Sequence, residues 1–229
     1  MAKHGKRYIE AAKLIDPEKL YTPAEAAALL KKTATAKFDQ TIEVHIRLGV
    51  DPRQSDEMVR GTIGLPHGTG KKLRIVVFAQ GDKAAEATKA GADVVGAADL
   101  VAKIDGGWME FDIVIATPDM MGQVGKLGKV LGRKGLMPNP KAGTITMDLE
   151  RTISELKSGR VEYKVAKIGA IHLGIGKASF TEDQIVGNLS ALVDAVNRAK
   201  PTGLKGISVA TSMGPGVAID VPALLALAG

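Results

Sequence analysis

Four histidines, His4, His45, His67 and His172, are the residues that most readily do acid–base or metal chemistry at neutral pH. They stand in unrelated sequence contexts, and no pair has the short spacing of a metal-ligand motif. Each reads as a surface or strand residue, so neither a metal nor a catalytic group is expected. The segment GLPHGTGKK invites comparison with phosphate-cradling loops, in which glycines precede a lysine. It fails on detail, because Leu65 stands where the first glycine is required and Lys72, not Ser or Thr, follows Lys71. Glycines 122, 125 and 128 in GQVGKLG form a GxxGxxG that approaches the dinucleotide fingerprint. The segment follows the third apolar strand of its region rather than opening its first βα turn. Small residues there suit close packing or close approach of a phosphate backbone.

Two further sets of residues point to binding rather than catalysis. From Met120 to Met147 there is no acidic residue, while Lys126, Lys129, Arg133, Lys134 and Lys141 all fall there. Such side chains neutralise phosphates, and Pro138 and Pro140 stiffen the stretch. Its alternative reading is a solvated loop with a charge excess. The second set joins Lys37 and Phe38 in TAKFDQT with Thr211, Ser212, Met213, Gly214 and Pro215 near the other end. Hydroxyls, backbone amides and two apolar tips suit recognition of folded RNA through sugars and backbone. Phe38 has a competing reading as a core anchor, because aromatics are only 3% of the chain.

The elements that must hold these residues follow from periodicity. Thr22-Pro23-Ala24-Glu25 has the form of a capping box before an Ala/Leu-rich helix. In QTIEVHIRL, Ile42, Val44, Ile46 and Leu48 alternate with Thr41, Glu43, His45 and Arg47, the pattern of a strand with one wet face. VRGTIGLP reads as its partner strand. After Gly70 the rhythm changes: LRIVVFA, DVVG and FDIVIATP read as buried strands alternating with helices, which argues for a parallel sheet covered on both faces. PDMMGQVGKLGKVL reads as one helix, GRKGLMPNPKAGT as a loop, and LERTISELKSG as a helix closed by Gly159. From Arg160 onward strand alternation returns in RVEYKVAKIGAIHLGI, followed by a helix and a final strand around GISVATSMGPGVAID. The expected architecture is a split two-layer α+β domain with an inserted Rossmann-like α/β domain. The expected boundaries are 1–67 and 159–229 for the split domain and 68–158 for the insertion, with the crossings near 67 and 159 serving as a hinge.

The 229 residues, 45% hydrophobic, are enough for two cores. Lys plus Arg exceed Asp plus Glu by 31 to 25, a formal charge of +6 that favours a polyanionic partner. The absence of cysteine removes disulfides and thiolate zinc sites and fits a reducing compartment. The start MAKHGKRYIEAAKL has no apolar segment of the secretory kind, and VPALLALAG is too short to cross a bilayer. A cytoplasmic protein without membrane partners is expected.

The segments TAKFDQTIEV, GVDPRQSDEMVRGTIGLPHGTGK, WMEFDIVIATPDMMGQVGKLGKVLGRKGLMPNPKAGT, GRVEYKV, IHLGIGKASF and TSMGP together resemble the bacterial form of the ribosomal protein L-one family, from the lateral stalk of the large subunit. LPHGTGK, GLMPNPKAGT and TSMGP in this order and spacing are the most specific. The resemblance implies no enzymatic activity and no cofactor. It implies binding to the stalk region of large-subunit rRNA, contact with exit-site tRNA that aids its release, repression of the chain's own mRNA through the mRNA leader, and a monomer within the ribosome. Its RNA-contact positions carry over to Lys37, Phe38, Thr41, Ser212, Met213 and Gly214, and also to Lys167. This chain departs from the family pattern at Arg133-Lys134, where a Pro-Arg pair is usual. It also departs at Ala166, usually acidic, at Ala170, usually Asn, and at Ala218, often basic.

Overall fold

The computed structural model describes residues 5–51, 54, 58–199 and 203–228. His4, the ends of the chain and much of the DPRQSDE segment lie outside these residues. Two compact units emerge, one formed by Met1–Gly70 with Val161–Gly229 and the other by Lys71–Arg160. The chain passes between them at Gly70–Lys71 and Arg160–Val161, slightly beyond the crossings at 67 and 159 read from the sequence.

In the unit made from both ends, α1 (Lys6–Ala12) and α2 (Pro23–Thr33) precede β1 (Thr41–Leu48) and β2 (Arg60–Gly64). Thr22 and Glu25 form the capping box that starts α2, with the Thr22 N–H donating to the Glu25 carboxylate at 3.0 Å. The return segment supplies β6 (Arg160–Lys164), β7 (Ala170–Lys177), α8 (Glu182–Ala199), β8 (Leu204–Thr211), β9 (Val217–Ile219) and α9 (Val221–Ala228). The principal sheet has the order β7-β1-β8-β9, so the strand from the first segment lies between two strands of the second. Both pairings of β1 are antiparallel.

Alternation along β1 turns Ile42, Val44, Ile46 and Leu48 into the core with Leu30, Leu189, Leu192 and Val196 from α2 and α8. Each such aliphatic side chain, once buried, stabilises the fold by about 1.5–3 kcal/mol. Leu224 of the apolar tail is fully buried in the same core, so the terminus is docked. Asn188, also fully buried, accepts the His67 N–H and donates to the carbonyls of Gly68 and Ile175, fixing the segment that leads out of the unit.

The other unit contains β3 (Ile75–Phe78), α3 (Asp82–Lys89), β4 (Val94–Gly96), α4 (Ala98–Asp105), β5 (Ile113–Ala116), the short helices α5 (Met121–Val124) and α6 (Gly128–Arg133), and α7 (Leu149–Lys157). Its sheet is parallel with the order β4-β3-β5. Every residue of β3 is buried because alternate residues enter different cores. Val76 and Phe78 face Leu100, Ile104, Leu127 and Leu131, while Ile75 and Val77 face Ala87, Leu149, Ile153 and Leu156. This is the helix-covered parallel sheet anticipated from the continuous apolar runs.

Three expectations need correction. The 60–64 strand pairs with β6 in a two-stranded sheet rather than with β1, whose two edges are taken by β7 and β8. The last strand region is two strands, β8 and β9, because Thr211–Gly214 turns the chain, with the Gly214 N–H donating to the Thr211 carbonyl at 2.9 Å. The single helix expected after β5 is a chain of short pieces: 3₁₀ turns at Pro118–Met120 and Gly125–Leu127 separate and precede α5 and α6. Closely spaced glycines weaken a continuous α-helix, since each lacks a side chain to restrict the backbone. They do not serve close packing within the chain, because a Cβ at Gly122, Gly125, Gly128 or Gly132 would meet nothing within 4 Å. Among the described residues no helix is long and apolar enough to cross a membrane.

Candidate RNA-binding surface

Antiparallel register decides what meets at the end of the principal sheet. Thr41 opens β1 opposite Lys177, the last residue of β7, and Ile42 stands opposite Thr211, the last residue of β8. The segments 37–41, 177–180 and 211–214 therefore converge, although the chain separates the first from the last by most of its length.

Hydrogen bonds hold the convergence rigid. The Thr41 N–H donates to Ser212 Oγ at 3.1 Å, and the Ser212 N–H donates to the Thr41 carbonyl at 3.0 Å. The Lys177 ammonium donates to Thr41 Oγ1 at 2.9 Å. Buried Gln40 accepts the Met213 N–H through Oε1 at 3.0 Å, and its carbonyl accepts the Ala178 N–H at 2.8 Å. The Asp39 carboxylate takes both the N–H and the hydroxyl of Ser179, at 3.0 and 2.8 Å. Every one of these bonds crosses between the two chain segments, so the platform exists only once both have folded.

On this frame stand two apolar tips, Phe38 and Met213, exposed to 56% and 67%. Phe38 is therefore outside the core, and its reading as a core anchor does not hold. Lys37 and Ser212 are exposed beside them. Thr211 is buried and its Oγ1 has no hydrogen-bond partner among the described residues. A Cβ at position 214 would collide with that oxygen, so glycine is required for the turn to close over Thr211. Rigid polar edges, an exposed ammonium and two uncovered apolar side chains can bind a phosphate–sugar backbone and pack against unstacked bases.

Lys167 is exposed but does not join this cluster. It lies in the turn before β7, next to Ala170, which pairs with Arg47 at the opposite end of β1. At roughly 3.3 Å per strand residue, the two ends of β1 are about 20 Å apart. Gln40, Asp39, Lys177 and Ser179, by contrast, frame the platform and were not singled out from the sequence. They lie within the TAKFDQT and IHLGIGKASF segments, but only the cross-strand bonds reveal their part.

The basic set in the inserted unit has its own geometry. Val124, Leu127 and Leu131 are buried, whereas Lys126, Lys129 and Arg133 on the same short helices are exposed, as are Gly122, Gly125 and Gly132. Lys134 and Lys141 are exposed in the following loop, where Gly135 and Gly143 take positive φ. Among the described residues no carboxylate pairs with any of these five cations. A face of bare glycine backbone flanked by unpaired cations lets a phosphate chain come close. Gln123, in the same segment, has a buried Oε1 without a hydrogen-bond partner among the described residues. Lys71, from the glycine-rich segment resembling a nucleotide loop, is ion-paired with Asp112 at 2.7 Å.

On the wet face of the principal sheet, His45 and His172 stand opposite one another. Burial, followed by the charge of His172, holds the His45 imidazole below its usual pKa, against the opposing pull of Glu43. Among the described residues no group of three or more His, Cys, Asp or Glu side chains is disposed around a common point as a metal site. Residues 30–215 match the model of the Ribosomal protein L1p/L10e family, a span that contains every candidate RNA contact named above.

Proposed function

The chain belongs to the Ribosomal protein L1p/L10e family, a family of large-subunit ribosomal proteins that bind rRNA, and on that premise we propose that its platform at the 41/177/211 end of the sheet is the principal rRNA contact. The observation that carries this is the pairing of two exposed apolar tips, Phe38 and Met213, with a backbone already locked by Gln40, Asp39 and Ser212. A surface whose polar groups are pre-paired loses little entropy on binding, so its contacts convert into affinity. Lys37 supplies charge to the phosphates, Thr41 and Ser212 supply hydroxyls, Thr211, whose hydroxyl is buried, supports the turn from beneath rather than touching RNA, and Gly214 keeps the turn low enough for RNA to approach.

The RNA is the stalk region of large-subunit rRNA. The exposed glycine and lysine face of Lys126, Lys129 and Arg133, with Lys134 and Lys141, is a secondary contact on the inserted unit, and Lys167 makes a separate contact at the far end of β1. The crossings at 70–71 and 160–161 act as a hinge by which the inserted domain follows the stalk as exit-site tRNA departs. The same platform binds the chain's own mRNA leader where that RNA mimics the rRNA site, and so represses its translation. The chain acts as a cytoplasmic monomer within the ribosome, through binding and not through catalysis, and without a cofactor.

The direct test is to separate ribosomal subunits from the source cells and wash them with salt. The chain stays with the large subunit, and the Met213→Ala variant is displaced at lower salt than the parent. Retention of both proteins to the same salt concentration removes the platform from the interface. Stoichiometric nucleotide binding by the isolated chain would instead favour a phosphate site at Gly122–Gly128.

A further inference from the structure

His45 and His172 are separated in sequence by the whole inserted unit, yet β1 and β7 place them as direct register partners. Their Nδ1 atoms approach to 2.8 Å, with ring centroids 5.0 Å apart and ring planes inclined by 59°. His172 is exposed and His45 partly so, on the face of the sheet opposite the hydrophobic core. We propose that this pair is a two-imidazole chelate for a divalent transition metal that accepts ligands at right angles, copper(II) or nickel(II).

The distance admits a metal that takes its ligands at right angles. Two nitrogens bound at roughly 2.0 Å to one metal are about 2.8 Å apart when they subtend a right angle, and about 3.3 Å apart in a tetrahedron. The separation in the free chain, set by the hydrogen bond between the rings, already equals the right-angle bite of tetragonal copper(II) and nickel(II), so the rings need no change of distance to close on such an ion. Imidazole is a preferred donor for both metals, and affinity at a given nitrogen site is greatest for copper among the divalent first-row ions. The rings hang from neighbouring strands in the middle of a ladder, so little reorganisation precedes binding. In the metal-free chain the short approach is a hydrogen bond that requires one Nδ1 to carry a proton and the other to accept it. On metal binding that proton passes through water to Nε2 of the same ring, so both rings stay neutral and each gives its Nδ1 lone pair. Glu43, two residues before His45 on the same strand face, supplies negative charge nearby. Water completes the coordination.

The test uses the full chain carrying His4→Ala, which removes an imidazole near the amino terminus that competes for the same metals. Nickel(II) and copper(II) chlorides are titrated by calorimetry into this protein and into His45→Ala, His172→Ala, His45→Gln and His172→Gln made in it, each checked for its fold by circular dichroism. Loss of an outer-shell partner alone weakens metal sites roughly 10- to 100-fold, so losing either ring lowers affinity about tenfold or more. The copper complex of the parent shows hyperfine structure from two nitrogens in its electron paramagnetic resonance spectrum, and that multiplicity falls when either ring is removed. Absence of saturable uptake by the parent overturns the proposal. So does uptake that persists within tenfold in any variant that retains its fold.

Discussion

Gln40, exposed to only 1%, accepts the backbone N–H of Met213 through its side-chain oxygen at 3.0 Å. A buried amide at the entrance of β1 thus sets the height of an exposed turn that follows β8. The Met213 side chain projects because its backbone is held, and what holds it comes from the other segment of the chain. Pre-organisation here is a buried polar contact supporting a solvent-facing tip.

Replacing Gln40 with Leu keeps approximate volume and removes the acceptor. The Met213 N–H then loses its partner in a partly buried place, at a cost of about 1–3 kcal/mol in folding stability. RNA affinity falls as well, since the turn is no longer fixed. Chemical denaturation and RNA titration on the same preparation check both, and normal RNA affinity in the folded variant would remove Gln40 from the platform.

Met213→Ala and Phe38→Ala make the complementary forecast. Both side chains are mostly exposed, so thermal stability changes by no more than about 0.5 kcal/mol. Affinity for the rRNA fragment drops by about 1–3 kcal/mol wherever a base packs on the truncated side chain. A large fall in melting temperature with unchanged affinity would reverse the assignment.

Deleting residues 71–160 and joining Gly70 to Val161 through a short glycine linker should leave a folded unit that retains most of the RNA affinity. Its sheet and core come wholly from the two end segments. In the full chain, changing Lys126, Lys129 and Arg133 together to Ala should flatten the dependence of log K on log salt by roughly 0.9 for each duplex phosphate that is no longer neutralised. Filter-binding or calorimetric titrations across salt concentrations measure both; an unchanged slope would exclude the secondary RNA surface.

Asp112 gives a pH signature confined to the inserted unit. The hydrogen bond from the Lys71 ammonium, foremost, and the Arg74 N–H hold its carboxyl below the usual range, against desolvation. A carboxyl depressed in the folded state adds stability above its unfolded value, about 3.9, and that stability is lost as pH falls through the folded value. The melting-temperature gap between the parent and Asp112→Asn should therefore be widest near neutrality and close as pH drops below about 4. A gap that stays constant down to acid pH would show that the ion pair is not its source.

The sequence by itself determined the class of the fold and most of its elements, while the helix after β5 and the final strand each broke into pieces. The Thr22–Glu25 capping box, the two-residue alternation of β1 and the continuous apolar run of β3 are local signals, and local physics was enough to read them. The TSMGP and GLMPNPKAGT segments pointed to the family because their order is specific. Which residues share a surface was decided only by the tertiary structure. Register placed Ser212 against Thr41 and left Lys167 at the far end of the same strand, and no periodicity within one segment encodes a pairing between two. Gln40 looked like an ordinary polar residue before a strand until the turn at Met213 closed on it. Glycines 122 to 132 were legible as small residues, but whether they served packing or exposure depended on what lay beside them, and the fold put nothing there. His45 and His172 had no motif spacing at all, since their 2.8 Å approach is a property of strands that meet across the sheet and not of neighbours along the chain.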